Sequence, residues 1–405
     1  MFKTRFISML VLLAAVATGA VAQTTYKVSV KEGTEDATSW TIAPPEATTT
    51  GVAQGTQVTA TYGGVKKVKS VKAVKKAPAG PPSWKLTLSS PAKDLYITAN
   101  GGLIAQHTLD VASTEFTVEM PELTSQTVNI VATDGSGNCW YCTQENMSFA
   151  IGQTYQSSPT MTALGTESSA DVYKITGTSG VTIPDGKTVV LSGVTISSGS
   201  IACSGNATII LMGGNTVTAA MDNAAIKIGG SGTTLTITGF GSLTATGGSD
   251  GAGIGTDNNG SGGNIVINGG TVTATGGKNG AGIGTGRALN ATNTCGDITI
   301  NGGTVIAQGV NGGAGIGTGV SMLAFGTASN SCGAITIGTG VTSVTAKKSS
   351  DNPGPNSIGI GRISGGGTQA CGTITIGGTI YWDGSDYQND GETYLGSDIT
   401  YPTAP

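Results

Sequence analysis

Three observations predict an all-β chain whose larger part is a parallel, right-handed β-helix solenoid preceded by two small β-sandwich-like modules. Glycine supplies 67 of the 405 residues. Charged residues make up only 11% and aromatics 5%, against 38% hydrophobic. From about residue 165 onward, a unit of strand, tight bend, second strand and glycine-rich segment recurs with a lengthening period. This glycine content excludes a mainly helical chain, because each interior glycine costs about 1 kcal/mol relative to alanine. The low charge does not fit simple disorder. With 13 prolines and no glycine at every third position, collagen is also excluded. The net charge of −4 argues against nucleic acid as a partner.

Residues 1–22 read as a secretory signal peptide. Lys3 and Arg5 precede the apolar run 7–17, and Ala20, Val21 and Ala22 form a small-x-small cleavage site ahead of Gln23. The run is short for a membrane span, and no later stretch is long and apolar enough to cross a bilayer. No cysteine stands at the cleavage site to carry a lipid. The expected location is therefore secreted or cell-surface, with no transmembrane segment after signal removal.

Residues 23–76 form the first small β module, with alternating strands at 26–30, 40–42 and 57–62. Lys66, Lys67, Lys69, Lys72, Lys75 and Lys76 alternate with valines near its end, the pattern of a solvated strand face whose lysines block edge pairing. Residues 77–83 are a Pro/Gly-rich linker. Residues 84–160 form the second β module, with strands at 84–88, 95–97, 115–118 and 127–131. It contains Cys139 and Cys142 in a CxxC without a following helix, which reads as a local disulfide or structural thiols.

The solenoid occupies 165–380. Its first strand recurs at 189–191, 209–211, 235–237, 265–267, 298–300, 335–337 and 374–376. Ile or Leu usually stands at the outer positions and often Thr in the middle, so the aliphatics point inward and Thr outward. The second strand recurs at 243–245, 272–274 and 305–307, after bends such as Asn268-Gly269-Gly270. The third element is Gly-Ala-Gly-Ile-Gly at 251–255, 280–284 and 313–317, with a degenerate copy at 357–361. The period grows from 20 residues (189 to 209) to 39 (335 to 374), absorbed by a variable return loop. Coils stacked about 4.8 Å apart turn the inward residues into continuous columns. Cys295, Cys332 and Cys371 each precede a first strand by three residues, which places them on three successive coils as a buried thiol ladder. The alternative is one disulfide plus a free thiol.

The motifs Gly-Ala-Gly-Ile-Gly-Thr, Cys-Gly-x-Ile-Thr-Ile and Asn-Gly-Gly-Thr-Val, in order at 251–267, 280–300 and 313–337, resemble the glycine-rich repeats of exported proteins from Gram-negative gut bacteria. Those proteins resemble the pectate-lyase-like right-handed β-helix superfamily. The resemblance covers roughly 165–395, implies the fold and an exported or surface setting, and carries no catalytic residue over.

The segment 381–405 reads as an aromatic, acidic cap over the open end of the solenoid. Tyr381, Trp382, Asp383, Tyr387 and Tyr394 are the candidate ligand-binding residues, since aromatic platforms beside carboxylates suit sugars. Asp386, Gln388 and Asp390 form a partial Ca²⁺ loop that lacks the closing Glu, so no cofactor is required and Ca²⁺ is a weak alternative. Asp257 and Arg287, on neighbouring coils, are the only catalytic candidates, and their simpler reading is a surface ion pair. The leading function is a non-enzymatic, adhesin-like protein that binds glycan or another cell-surface ligand. The alternatives are a polysaccharide-active enzyme and a structural stalk.

Overall fold

The computed structural model describes residues 80–99, 102–166, 168, 170–349 and 356–402, together with short strands in the first 79 residues. The chain divides into two compact units, Met1–Gly80 and Pro81–Pro405. In the first unit, Gln57–Tyr62 pairs antiparallel with both Trp40–Ala43 and Val71–Lys72. The remainder of the expected signal peptide and of the lysine stripe lies outside the described residues.

Residues 172–376 wind through three parallel sheets, visited in the order A, B, C from residue 187 on, after a first turn that passes from A straight to C. Sheet A contains Val172–Ile175, Lys187–Ser192, Ala207–Met212, Thr234–Gly239, Asn264–Ile267, Ile298–Ile300, Ile335–Ile337 and Ile374–Ile376. Sheet B contains Thr195–Ile196, Gly214–Thr218, Ser242–Thr246, Thr271–Thr275, Thr304–Gln308 and Ser343–Lys347. Sheet C contains Val181–Ile183, Ile201–Cys203, Ile226–Lys227, Ile254–Gly255, Ile283–Gly284, Ile316–Gly317 and Ile358–Gly359. This is the parallel β-helix that the repeats predict.

The inward columns are nearly pure. In sheet C, Ile201, Ile226, Ile254, Ile283, Ile316 and Ile358 stack in register, each fully buried. Sheet B stacks Ala245, Ala274, Ala307 and Ala346 beside Leu243, Val272, Val305 and Val344. In sheet A, Ile209 lies beside Ile237 rather than Leu235, so the recurring triplets slide by two residues between these coils. A two-residue slide keeps every side chain on its own face, because side-chain direction alternates with period two.

Glycines of the Gly-Ala-Gly-Ile-Gly segments answer a close approach between coils. Gly255, Gly284 and Gly317 hold φ of +146°, +131° and +132°. A Cβ on any of them would drive into the carbonyl of the corresponding glycine one coil on. Polar side chains also bridge coils. Asp185 accepts from the Asn206 amide, Asn264 from Asp297 and Asp297 from Ala334. From residue 288 the return loop grows an arm whose strands Thr292–Cys295, Ser329–Cys332 and Thr368–Cys371 stack as a further parallel sheet. Thr256 and Thr285 donate to buried Asn293 and Asn330 (2.7 and 2.6 Å), and Asn293 in turn donates to the Asp257 and Arg287 carbonyls. These bonds tie each arm to the coil before it.

The 81–163 segment is one bent sheet built around the long strands Ser83–Ala99 and Gly102–Glu119, with Leu123–Thr133, Cys139–Phe149, Thr154–Ser157 and Thr162–Ala163. Bulges interrupt the pairing of the two long strands, and their apolar faces close on one core around Trp84, Leu86, Phe116, Ile130 and Phe149, which is sandwich-like. This sheet shares a compact unit with the solenoid. Tyr96, Val131, Cys139 and Leu164 pack against Val190, Ile210 and Met212 of sheet A, and the Tyr96 hydroxyl hydrogen-bonds Thr238. Of the two readings of the CxxC, the structure favours structural thiols. Cys139 faces the solenoid while Cys142 lies in the core of the bent sheet, because positions i and i+3 of a strand point to opposite faces. They are structural thiols without a local disulfide, and burial pushes Cys142 up to about 11.

The 379–402 segment covers the last coil. Thr379–Trp382 pairs antiparallel with the sheet A strand Ile374–Ile376, and Ile399–Tyr401 with the sheet B strand Ser343–Lys347. The Leu395 carbonyl, at the end of the short helix Gly391–Leu395, accepts from the Ser357 amide beside sheet C. Each of the three growing edges thus meets a different piece of the cap, which blocks further strand addition.

Gly284→Ala is expected to cost at least about 1–2 kcal/mol, the penalty of a Cβ at positive φ, before the clash with Gly317 is counted. Denaturant unfolding of the variant measures it. A second expectation concerns alkaline pH. Burial raises the Tyr96 hydroxyl from 10.0 to about 12, against the opposing pull of its Thr238 hydrogen bond. The native state resists ionisation that the unfolded chain undergoes, so this contribution is intact below pH 10 and lost as pH rises through 12. Tyr96→Phe is expected to flatten the fall in unfolding midpoint across that window relative to the parent chain.

Candidate functional site

Several charged residues of the coils are engaged between neighbouring rungs. Asp257 and Arg287, expected to meet, do not pair with one another. Arg287 Nη2 lies 2.9 Å from Asp250 Oδ2, and Asp257 Oδ2 lies 2.5 Å from Lys227 Nζ. Arg287 takes Asp250, on the other side of the same Gly-Ala-Gly-Ile-Gly segment from Asp257, and Asp257 pairs with Lys227 on the coil before it. Asp250 is 7% exposed and also accepts from Asn279 Nδ2. Asp257 accepts from the Ala224 amide through its other oxygen. Both carboxylates are held as coil-to-coil struts.

The cap brings its candidates together and turns much of their chemistry inward. Tyr381 and Tyr394 stack at 4.4 Å and 18°, and both lean on the solenoid core. Trp382 donates its indole N–H to the Cys371 carbonyl and meets Tyr387 edge-on at 4.9 Å. Asp383 accepts from the Ser385 and Asp386 amides, the Ser385 hydroxyl and Gln388 Nε2. These bonds hold its carboxyl down at about 2. Gln388 Nε2 is thus engaged with Asp383, not with Asp386 or Asp390. Among the described residues, no cluster of three or more His, Cys, Asp or Glu is placed to hold a metal ion. A cavity of about 30 Å³ between Trp382, Tyr387 and Asn356 has room for roughly one water. Tyr387, at 39% exposure, is the most open of the cap rings.

The larger concavity lies elsewhere. A cleft of about 450 Å³ runs along the bends that join sheet A to sheet B, where the bent sheet leans over the solenoid. Its floor is a ladder of homologous bends on successive rungs: Gly239-Phe240, Asn268-Gly269-Gly270-Thr271, Asn301-Gly302-Gly303-Thr304, then Gly340 and Thr342. The bends stay in line because each one bonds to the one before. The Thr271, Thr304 and Thr342 amides donate to the Gly241, Gly270 and Gly303 carbonyls, at 3.0, 2.9 and 2.9 Å. Asn301 Nδ2 donates to Asn268 Oδ1 at 3.0 Å. Gln106, on the long strand Gly102–Glu119, supplies the opposite wall and is exposed. Phe240 is half-buried at one end, its ring 5.8 Å from that of Tyr96. Every described lining residue is uncharged.

In the sequence Asn-Gly-Gly reads as a bend, and the regular return of Asn-Gly-Gly-Thr is the available signal for a polar ladder. The opposing wall had no signal, since Gln106 arrives from a segment more than a hundred residues away.

If Arg287 is a strut, Arg287→Ala leaves the buried Asp250 carboxylate without its cation. The expected loss is about 3–5 kcal/mol in unfolding free energy. Arg287→Lys, which retains the charge, is expected to recover part of it.

Neither the curated proteins nor the solved structures gave a match to this chain. Among the described residues, no helix is long and apolar enough to cross a membrane. A family model described as a beta helix repeat matches residues 235–263, 265–287 and 298–320, which are successive coils of the solenoid, and with the stacked parallel sheets this marks the chain as a parallel β-helix protein.

Proposed function

We propose that this is an exported, non-enzymatic, adhesin-like protein of the secreted or surface-attached kind, and that it binds a neutral glycan in the cleft between the bent sheet and the bend ladder. The observation that carries this reading is the lining itself: side-chain amides, hydroxyls, glycine backbone and one aromatic ring, without a charge. Amides supply donor and acceptor together and so match the hydroxyls of a sugar. A half-buried ring beside them suits its apolar face. General acid–base chemistry on a glycan needs two placed carboxylates or an equivalent pair. Asp250 and Asp257 are instead fastened to Arg287 and Lys227. The leader-like residues 1–22 and the resemblance of the repeats to exported bacterial proteins support the location.

The test is binding of the full chain to a broad array of glycans, followed by titration of any hit. Gln106→Ala and Asn301→Ala are each expected to weaken binding about tenfold, equivalent to ~1.4 kcal/mol. Tyr387→Ala in the cap is expected to leave it unchanged, as is a chelator. Loss of binding only in the Tyr387 variant would move the site to the cap. Failure to bind any neutral glycan would overturn the reading.

A further inference from the structure

The three arm cysteines do more than fill a column. Cys295, Cys332 and Cys371 are register partners on successive rungs and are 6%, 6% and 8% exposed. In-register rungs about 4.8 Å apart fall inside the Cα separation that a disulfide bridges, about 4.4–6.8 Å. The three thiols are not equivalent. Cys332 Sγ lies 3.1 Å from Cys371 Sγ, whereas Cys295 Sγ turns to the Gly263 carbonyl at 3.6 Å. The pair in contact joins the last two arms, where the parallel stacking ends and the chain reverses into Thr379–Trp382. The Cys371 carbonyl is also the acceptor of the Trp382 indole, so the cap is fastened to the same rung.

We propose that Cys332 and Cys371 are an oxidation site, joined by a cross-rung disulfide in an oxidising compartment while Cys295 remains a free thiol. The co-reactant is a disulfide, either a small molecule such as glutathione disulfide or that of a thiol oxidase. The thiolate of one cysteine attacks it, releasing one thiol and leaving a mixed disulfide. The thiolate of the second cysteine then displaces the other half. Two thiols of the chain lose two protons and two electrons, and the co-reactant is reduced to two thiols. Both thiols are buried in the closed structure, and burial pushes the neighbouring Cys295 up to about 12. Exchange therefore proceeds when the end coils open or before they close. The bond closes the chain between two coils that are already adjacent, restricting the unfolded ensemble without changing the path of the rungs. The proposal is independent of the glycan reading and shares with it only the oxidising location.

The experiment starts from the full chain purified reduced. It is incubated with glutathione disulfide in mild denaturant, denatured without reductant, alkylated and mapped by peptide mass. The expected product is lighter by two hydrogens before alkylation, carries Cys332 linked to Cys371, and is alkylated at Cys295. Alkylation of all six cysteines, or a link between Cys295 and Cys332, would overturn the proposal. A second measurement does not depend on the map. The oxidised chain is expected to melt higher than the reduced one, a difference abolished in the Cys332→Ala/Cys371→Ala variant. An equal shift in that variant would also overturn the proposal. A bond that forms with glutathione disulfide but is absent from chain recovered after export would count against the location alone.

Discussion

Everything in the solenoid depends on one constraint: each coil must present the next with a backbone in register and a core column of the same width. Parallel strands separated by one rung exchange all their inward-facing neighbours with that rung, so a coil that bulges would dislocate every column at once. The unbroken isoleucine column of sheet C is one consequence. The positive-φ glycines beside it are another, since there is no space for a side chain between the stacked carbonyls. The insertions of the lengthening period escape the constraint by leaving the tube as arms. There they stack on one another and are pinned back by the Thr–Asn bonds.

The same constraint governs the polar residues. A parallel solenoid has few places where a charge can be buried without disrupting a column. Asp250, Arg287 and Asp257 sit outside the strands, Lys227 ends one, and the four neutralise one another across rungs. Asp185, Asn264 and Asp297 take backbone amides of the following coil. Side chains that would be read as chemistry in a globular enzyme are here part of the vertical bonding. What remains accessible along the A-to-B bends is amide, hydroxyl and bare backbone.

This explains how much could be read from the chain. The order of strand, bend, strand and Gly-Ala-Gly-Ile-Gly segment is local and repeated, so the solenoid, its inward columns and the cysteine ladder were legible. The cap was legible as a change of texture at 381. Two features were not. The partner of Arg287 depends on which of the two carboxylates bordering one Gly-Ala-Gly-Ile-Gly segment, Asp250 or Asp257, its guanidinium reaches, and a register of coils does not contain that. Packing of the 84–160 sheet against sheet A depends on Tyr96, Val131 and Leu164, which look like ordinary core residues of a separate module. The cleft follows from that packing, and so the proposed site was invisible while the fold was plain.

The position of the cleft follows from where the coils are free to grow. The connections from sheet B to sheet C and from sheet C back to sheet A carry the long segments and the arms, whereas the A-to-B bends stay short from Gly239 to Thr304. Short bends with a common sequence must superimpose, so Asn268 and Asn301 fall into line and their amides bond along the axis. The ligand proposed for this floor would meet nearly the same groups at each rung and gain little discrimination from them. Its selectivity would come from the residues that do not repeat, Gln106 on the facing wall and Phe240 at the end. Both owe their place to the bent sheet: Gln106 belongs to it, and the Phe240 ring rests against Tyr96. The solenoid supplies a regular polar surface, and the sheet laid against it makes one stretch of that surface different from the rest.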